Sequence, residues 1–152
     1  MKTNELILNP IDNKNHVDLF WETIKDEPAI DNMHKEDWIG EFIYDIYYKN
    51  NHVGFIAYSI WEESCCLSCI YIFEPYRRLG IASAAIRKIM YMNRNYNFFY
   101  GFVHKDNKAI KMYQKLELKF LNKFKTGYTI TEPSPDNSCL YDDFYEFGKE
   151  NK

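Results

Sequence analysis

The stretch from Phe42 to Phe73, FIYDIYYKNNHVGFIAYSIWEESCCLSCIYIF, restricts the fold more than any other part of the chain. Phe42, Tyr44, Ile46 and Tyr48 alternate with Ile43, Asp45 and Tyr47, and Val53, Phe55, Ala57 and Trp61 resume the run after Asn50-Asn51. A period of two is the signature of a strand, and the Asn-Asn break predicts an antiparallel hairpin. Glu62-Glu63-Ser64 turns the chain again, into a third strand, CCLSCIYIF. Hairpins come first and strand–helix–strand units follow, which predicts one mixed sheet with helices on both faces.

The remaining segments read as follows. NELILNP is a short first strand, and NHVDLFWETIKDEP is a helix with Asn15 as its N-cap and Val17, Phe20, Trp21 and Ile24 on one face. DNMHKEDWIGEF is a shorter second helix. Ala82, Ala85, Ile86, Ile89 and Met90 follow helical spacing, FFYGFVH is a strand, and NKAIKMYQKLE is a helix capped by Asn107 with Ala109, Tyr113 and Leu116 on one face. LKFLNKF alternates as a strand, TEPSPDNS is a loop, and CLYDDFYEFGK closes the chain as a strand. The order β-α-α-β-β-β-α-β-α-β-β predicts an α/β fold, with one mixed, mostly antiparallel sheet and helices on both faces. The 152 residues suit a single domain spanning 1–152.

Composition narrows the function. The net charge of −3 lacks the basic surplus of a protein that lives on nucleic acid. No apolar run reaches the length of a membrane span, and the N-terminus has no apolar signal region. A cytoplasmic protein with reduced cysteines is the expectation. Cys66 and Cys69 form a C-x-x-C, but on a strand their side chains should face opposite sides, so neither zinc nor a disulfide is expected there. His16, His34, His52 and His104 show no metal spacing. No metal cofactor is expected.

The segment YRRLGIASAAIRKIM, Tyr76 to Met90, carries the chemistry. All four arginines (77, 78, 87 and 94) fall between Arg77 and Arg94. A glycine opening a helix directly after a strand lets a ligand approach the backbone. The free N–H groups of the first turn and the helix dipole then favour an anion. Ala82 and Ser83 keep the turn small, and Arg77 and Arg78 offer planar donors for phosphate. Neither G-x-G-x-x-G nor a Walker loop is present. A plain strand-to-helix turn with two surface arginines would look much the same.

The surroundings add to the motif. IYIFEPYRRLGIAS resembles the acyl-CoA signature of the GNAT acyltransferase superfamily, Q/R-x-x-G-x-G/A, through Arg77, Gly80 and Ala82. DNKAIKMYQKLELKF resembles the family's second block through Asn107, Ala109, Ile110, Tyr113, Lys115 and Leu116. Two features depart from the pattern. Glu117 and Leu118 stand where the family commonly has glycine and phenylalanine, and Cys65 to Phe73 contains no carboxylate to serve as a base.

The resemblance implies transfer of an acyl group, most often acetyl, from acetyl-CoA to a primary amine by direct attack in a ternary complex. The backbone amides of Leu79, Gly80, Ile81, Ala82 and Ser83 would hold the pyrophosphate, with Arg77 and Arg78 beside it. Ile70, Ile72 and Asn107 would hold the pantetheine arm. Tyr113 would protonate the leaving thiolate, although its place on an apolar helix face also suits a core residue. Glu62, Glu63, Glu74, Asp142 and Asp143 are open as bases or substrate contacts, and His104 ends the strand nearest the site. Acidic residues near the C-terminus (Glu132, Asp136, Asp142, Asp143, Glu146, Glu150) would suit a cationic amine, small-molecule or peptide, or form a solvated tail. No nucleic acid or membrane partner is expected, and a homodimer is left open. The alternative function is an acyl-CoA-binding regulatory module of the same fold without turnover.

Overall fold

The computed structural model describes residues 5–11, 14–26, 35–38, 41–104, 110–116, 118–121 and 144–151. Asn107, Ala109, Glu117, His34, Cys139, Glu132, Asp136, Asp142 and Asp143 lie outside them, as do the side chains of His16, His104 and Glu146. The elements are β1 (Leu6–Pro10), α1 (Lys14–Ile24), β2 (Phe42–Tyr48), β3 (Asn51–Trp61), β4 (Ser64–Ile72), α2 (Ile81–Met92), β5 (Phe98–His104), α3 (Ile110–Lys115), β6 (Lys119–Leu121) and β7 (Phe144–Glu150). The strands form one sheet in the order β1-β2-β3-β4-β5-β7-β6. Neighbours are antiparallel except β4 and β5, which are parallel. That parallel pair requires a crossover, and α2 supplies it.

Three local expectations change. Helix α1 begins at Lys14, so Asn15 lies inside it rather than at the cap. Within the expected second helix, the described residues Lys35–Trp38 form a 3-10 turn. The β2–β3 turn is Lys49-Asn50, both at positive φ, while Asn51 already pairs with Tyr48. Two left-handed residues make a type I′ turn, whose twist matches that of the flanking strands. Glu62 and Glu63 repeat the arrangement between β3 and β4, with φ of 45° and 62°. The left-handed region costs a non-glycine residue about 1–2 kcal/mol. Asn97 helps to hold this turn, donating its backbone N–H to the Glu63 carbonyl (2.8 Å) and its Nδ2 to Glu63 Oε2 (3.0 Å).

Helices cover both faces, as the alternation requires. On one face, Ile81, Ala84, Ala85, Ile86 and Ile89 of α2, Tyr113 of α3 and Leu116 just after it pack on Ile56, Tyr58, Cys65, Leu67, Ile72 and Phe99. On the other, Phe20 and Ile24 of α1 join Trp38, Ile43, Phe55 and Ala57. Burying a side chain such as Ile86 or Phe55 stabilises the fold by about 1.5–3 kcal/mol. Gly54 sits where β3 and β4 pack most tightly. A Cβ there would lie 2.1 Å from the Tyr71 carbonyl oxygen.

One irregularity governs the site. Ala57 pairs with Cys69 but Tyr58 pairs with Leu67, so Ser68 is an extra, unpaired residue in β4. This bulge reverses the in-out alternation. Cys65 and Leu67 face the α2 side before it, and Ile70 and Ile72 face that side after it. Cys66 and Cys69 therefore share the α1 face, and the expectation that they point to opposite faces is wrong. Cys65, Cys66 and Cys69 form no disulfide. Among the described residues no three His, Cys, Asp or Glu side chains gather as a metal site. None of the described helices is long and apolar enough to cross a membrane.

Candidate active site

Strands β4 and β5 pair only from Ser64↔Phe98 to Leu67↔Gly101. Beyond that point both continue, β4 to Ile72 and β5 to His104, without pairing to each other. The parting begins at the Ser68 bulge. Phe73 donates its N–H to Val53 of β3 at 2.9 Å. By strand alternation, Ile72 and Ile70 then turn their main-chain groups the other way, into the gap. Ile70 and Ile72 thus occupy the edge that the sequence assigned to a ligand's amide arm. The Ile72 carbonyl accepts a 2.7 Å hydrogen bond from Arg77 Nε, which leaves the N–H as the group free of that contact.

The chain leaves β4 through Phe73 and a 3-10 turn, Glu74–Tyr76, and enters α2 through Arg77, Arg78, Leu79 and Gly80. Arg78 and Gly80 are both left-handed, with φ of 67° and 81°. Gly80 is the N-cap residue of α2, and no side chain caps the helix. A Cβ at Gly80 would meet nothing within 4 Å. The glycine is needed for its backbone angle, and the space before it is open. The N–H groups of Ile81, Ala82 and Ser83 precede the first intrahelical donor, the Ala84 N–H that bonds the Gly80 carbonyl, and point into that space. Arg77 does not extend freely: besides its bond to Ile72, its guanidinium lies over the Tyr71 ring, 5.3 Å from the centroid. It braces the turn against β4. Arg78 and Leu79 are exposed. A groove of about 420 Å³ lined by Leu8, Ala84, Arg87, Lys88, Tyr91 and Met92 runs along α2, away from this turn.

Tyr113 is 5% exposed and packs in the core on the α2 face. Burial pushes its hydroxyl pKa up, and the Cys69 thiol acts in the same direction. By packing it is a core residue. The phenol stays protonated at any working pH.

A carboxylate that the sequence pattern does not single out reaches β4 from another strand. Glu41, half-buried at the start of β2, accepts a 2.5 Å hydrogen bond from Ser68 Oγ, the hydroxyl of the bulge. Burial raises its carboxyl pKa, while hydrogen bonds from Ser68 and Ser59 lower it, and burial is the larger effect. The candidates considered from sequence lie elsewhere. Glu62 and Glu63 form the far turn, and Glu74 is exposed beyond the end of β4. His52 pairs with Asp45 at 3.0 Å in the β2–β3 hairpin. Nothing in the local pattern around Glu41 distinguishes it, because its contact is made across 27 residues.

Residues 11–118 match the sequence profile of the acetyltransferase (GNAT) family. The chain belongs to that family. Among solved GNAT-fold structures, Arabidopsis thaliana Naa50 in complex with a bisubstrate analogue, CoA-Ac-MVNAL, is 22% identical with a TM-score of 0.69, covering 95% of this chain and 98% of that one. A GNAT acetyltransferase from Elizabethkingia anophelis with acetyl-CoA bound is 18% identical, with a TM-score of 0.68 and coverage of 97% and 99%. A dodecameric spermidine N-acetyltransferase from Vibrio cholerae is 13% identical, with a TM-score of 0.71 and coverage of 97% and 95%. At these identities the likeness establishes the GNAT fold. No curated relative matches the chain by sequence.

Proposed function

We propose that residues 1–152 form a single acetyltransferase domain that moves an acetyl group from acetyl-CoA to a primary amine by direct attack in a ternary complex. The observation that carries this reading is the parting of β4 from β5 beside a glycine-opened helix. One strand edge offers main-chain groups to an extended amide arm, and the uncapped N-terminus of α2 offers N–H groups to a pyrophosphate. Relatives of the same fold with CoA compounds bound support it.

In this reading Leu79, Gly80, Ile81, Ala82 and Ser83 hold the pyrophosphate through backbone amides, and Arg78 adds charge. Arg77 contributes by fixing the turn and through its remaining guanidinium donors. Ile70 and the Ile72 N–H align the pantetheine arm, and the family resemblance adds Asn107 as a further contact to it. The thioester then lies in the gap near Ser68 and Cys69. The amine nitrogen attacks the carbonyl carbon. The oxyanion is stabilised by a backbone N–H of β4. The C–S bond breaks, and the departing sulfur takes a proton from Tyr113. A buried tyrosine is a weaker acid than a thiol, so this transfer is uphill unless it is concerted with reprotonation of Tyr113 from the amine nitrogen.

Acetyl-CoA incubated with a panel of polyamines, amino sugars and peptide amines, with free thiol as the readout, tests the reading. Thiol release with at least one amine is the expected result. Acetyl-CoA binding without release for any amine would leave a binding module and refute the transferase.

A further inference from the structure

We propose that Glu41 is the general base, taking the proton from the acceptor's ammonium group at the mouth of the β4–β5 gap. The assignment rests on the transferase reading above and names the residue that reading lacks.

An alkyl ammonium loses its proton only near pH 10, so attack at neutral pH requires a proton acceptor at the site. Strand β4 carries no carboxylate of its own from Ser64 to Ile72. Among the described residues, Glu41 is the carboxylate that a β4 side chain is seen to hydrogen-bond, and that side chain belongs to Ser68, the first residue beyond the last β4–β5 pair. Its orientation is fixed by Ser68 on β4. Its backbone is held as well, since its N–H donates to the Trp38 carbonyl at 3.1 Å. A surface glutamate with no task would have neither buttress.

The faces of the sheet agree with the roles. Glu41 shares the α1 face with Ile43 and Ala57, whereas Tyr113 packs on the α2 face. The gap joins the two. An amine entering on the α1 side would lose a proton to Glu41, and the sulfur leaving on the other side would gain one from Tyr113. The protons balance. Of the two that the ammonium nitrogen must lose, one goes to Glu41 and then to water. The other goes through Tyr113 to the thiolate, as the C–N bond forms and the C–S bond breaks.

The environment suits a base. Burial holds the carboxyl above its ordinary range, which strengthens it as a proton acceptor near neutral pH. On the same face, β4 presents Cys66 and Cys69, β2 and β3 present Ile43 and Ala57, and α1 presents Phe20 and Ile24. Lys35, on the preceding 3-10 turn, is paired with Asp18.

The test compares wild type, Glu41→Gln and Ser68→Ala on three readouts: kcat/KM against pH, acetyl-CoA affinity by calorimetry, and melting temperature. For Glu41→Gln with an alkyl amine, kcat/KM should fall by about 10²–10⁴-fold. Its acid limb should vanish while acetyl-CoA affinity stays unchanged. An amine already neutral at the assay pH should lose far less. For Ser68→Ala, loss of a bond that lowers the carboxyl pKa should move the acid limb to higher pH. This second variant decides the matter if Glu41→Gln fails to fold. An unmoved limb in Ser68→Ala, an unchanged profile in Glu41→Gln, or equal losses with neutral and charged amines would overturn the assignment while leaving the transferase intact. No thiol release by wild type with any amine would overturn both.

Discussion

The two edges of β4 are built differently. Towards β3 it is paired along its whole length, Trp61↔Ser64 to Gly54↔Ile72, closed by a tight turn and interrupted by one bulge. Towards β5 it is paired for four residues and then released. On the closed edge backbone donors and acceptors satisfy one another, so substitutions there are felt as stability. On the open edge β5 does not pair with them, so under the proposed function substitutions there should be felt as binding or turnover. The contrast shows how one strand serves as scaffold and as site.

Gly54→Ala attacks the closed edge where it has least room. The new methyl would run into the Tyr71 carbonyl oxygen, with Ile72 Cα and the Tyr71 carbonyl carbon close behind it on the same strand. The expected cost is about 3 kcal/mol or more, which at this chain length lowers the melting temperature by roughly 6–12 °C. A variant that melts like wild type would break the comparison.

Tyr113→Phe tests the opposite expectation at the gap. The ring and its packing remain, so kcat should drop by about 10²–10⁴-fold with acetyl-CoA affinity retained. A normal kcat with a lowered melting temperature would return Tyr113 to the core alone. Gly80→Asp tests the cofactor end. Asp tolerates a left-handed backbone better than most residues, and the space around Gly80 is open, so the fold should survive. Its charge would stand where phosphate is expected, and CoA affinity by calorimetry should fall by at least about tenfold, on the order of 1.4 kcal/mol.

The smaller effects sharpen the picture. The Glu41 carboxyl is raised by burial above its ordinary 4.5, so the folded state prefers the protonated form. Its burial costs nothing below the unfolded value and costs most above the folded one. Melting curves of wild type and Glu41→Gln should therefore separate as pH rises through that range, with the variant relatively more stable at the high end. Smallest of all, Glu62→Asn puts a residue that tolerates φ of 45° into the β3–β4 turn and should gain less than about 1 kcal/mol.

Much of this architecture was legible from short-range pattern. The alternation in Phe42 to Phe73 is a property of neighbours two apart, and it is realised as β2, β3 and β4. The spacing of Ala85, Ile86 and Ile89 likewise marks the face that α2 buries. The turn around Gly80 could be read because a left-handed backbone before a helix has few residues that suit it. The β2–β3 turn was misplaced by one residue because Lys49 takes a conformation that its side chain does not favour. The sheet's twist imposes it.

The sequence by itself determined the strands of the β2–β4 run, the buried face of α2, the glycine-opened turn and the family. These signals lie within a few residues of one another, where side-chain periodicity and backbone preference act directly. Only the tertiary structure decided that Ser68 is the bulge, that Cys66 and Cys69 share a face, that β4 and β5 part at Leu67, and that Glu41 meets Ser68. Each depends on which backbone atoms of a distant strand find partners and which do not. A local pattern does not encode that outcome, because the partner comes from another part of the chain and the choice is made by the packing of the whole sheet.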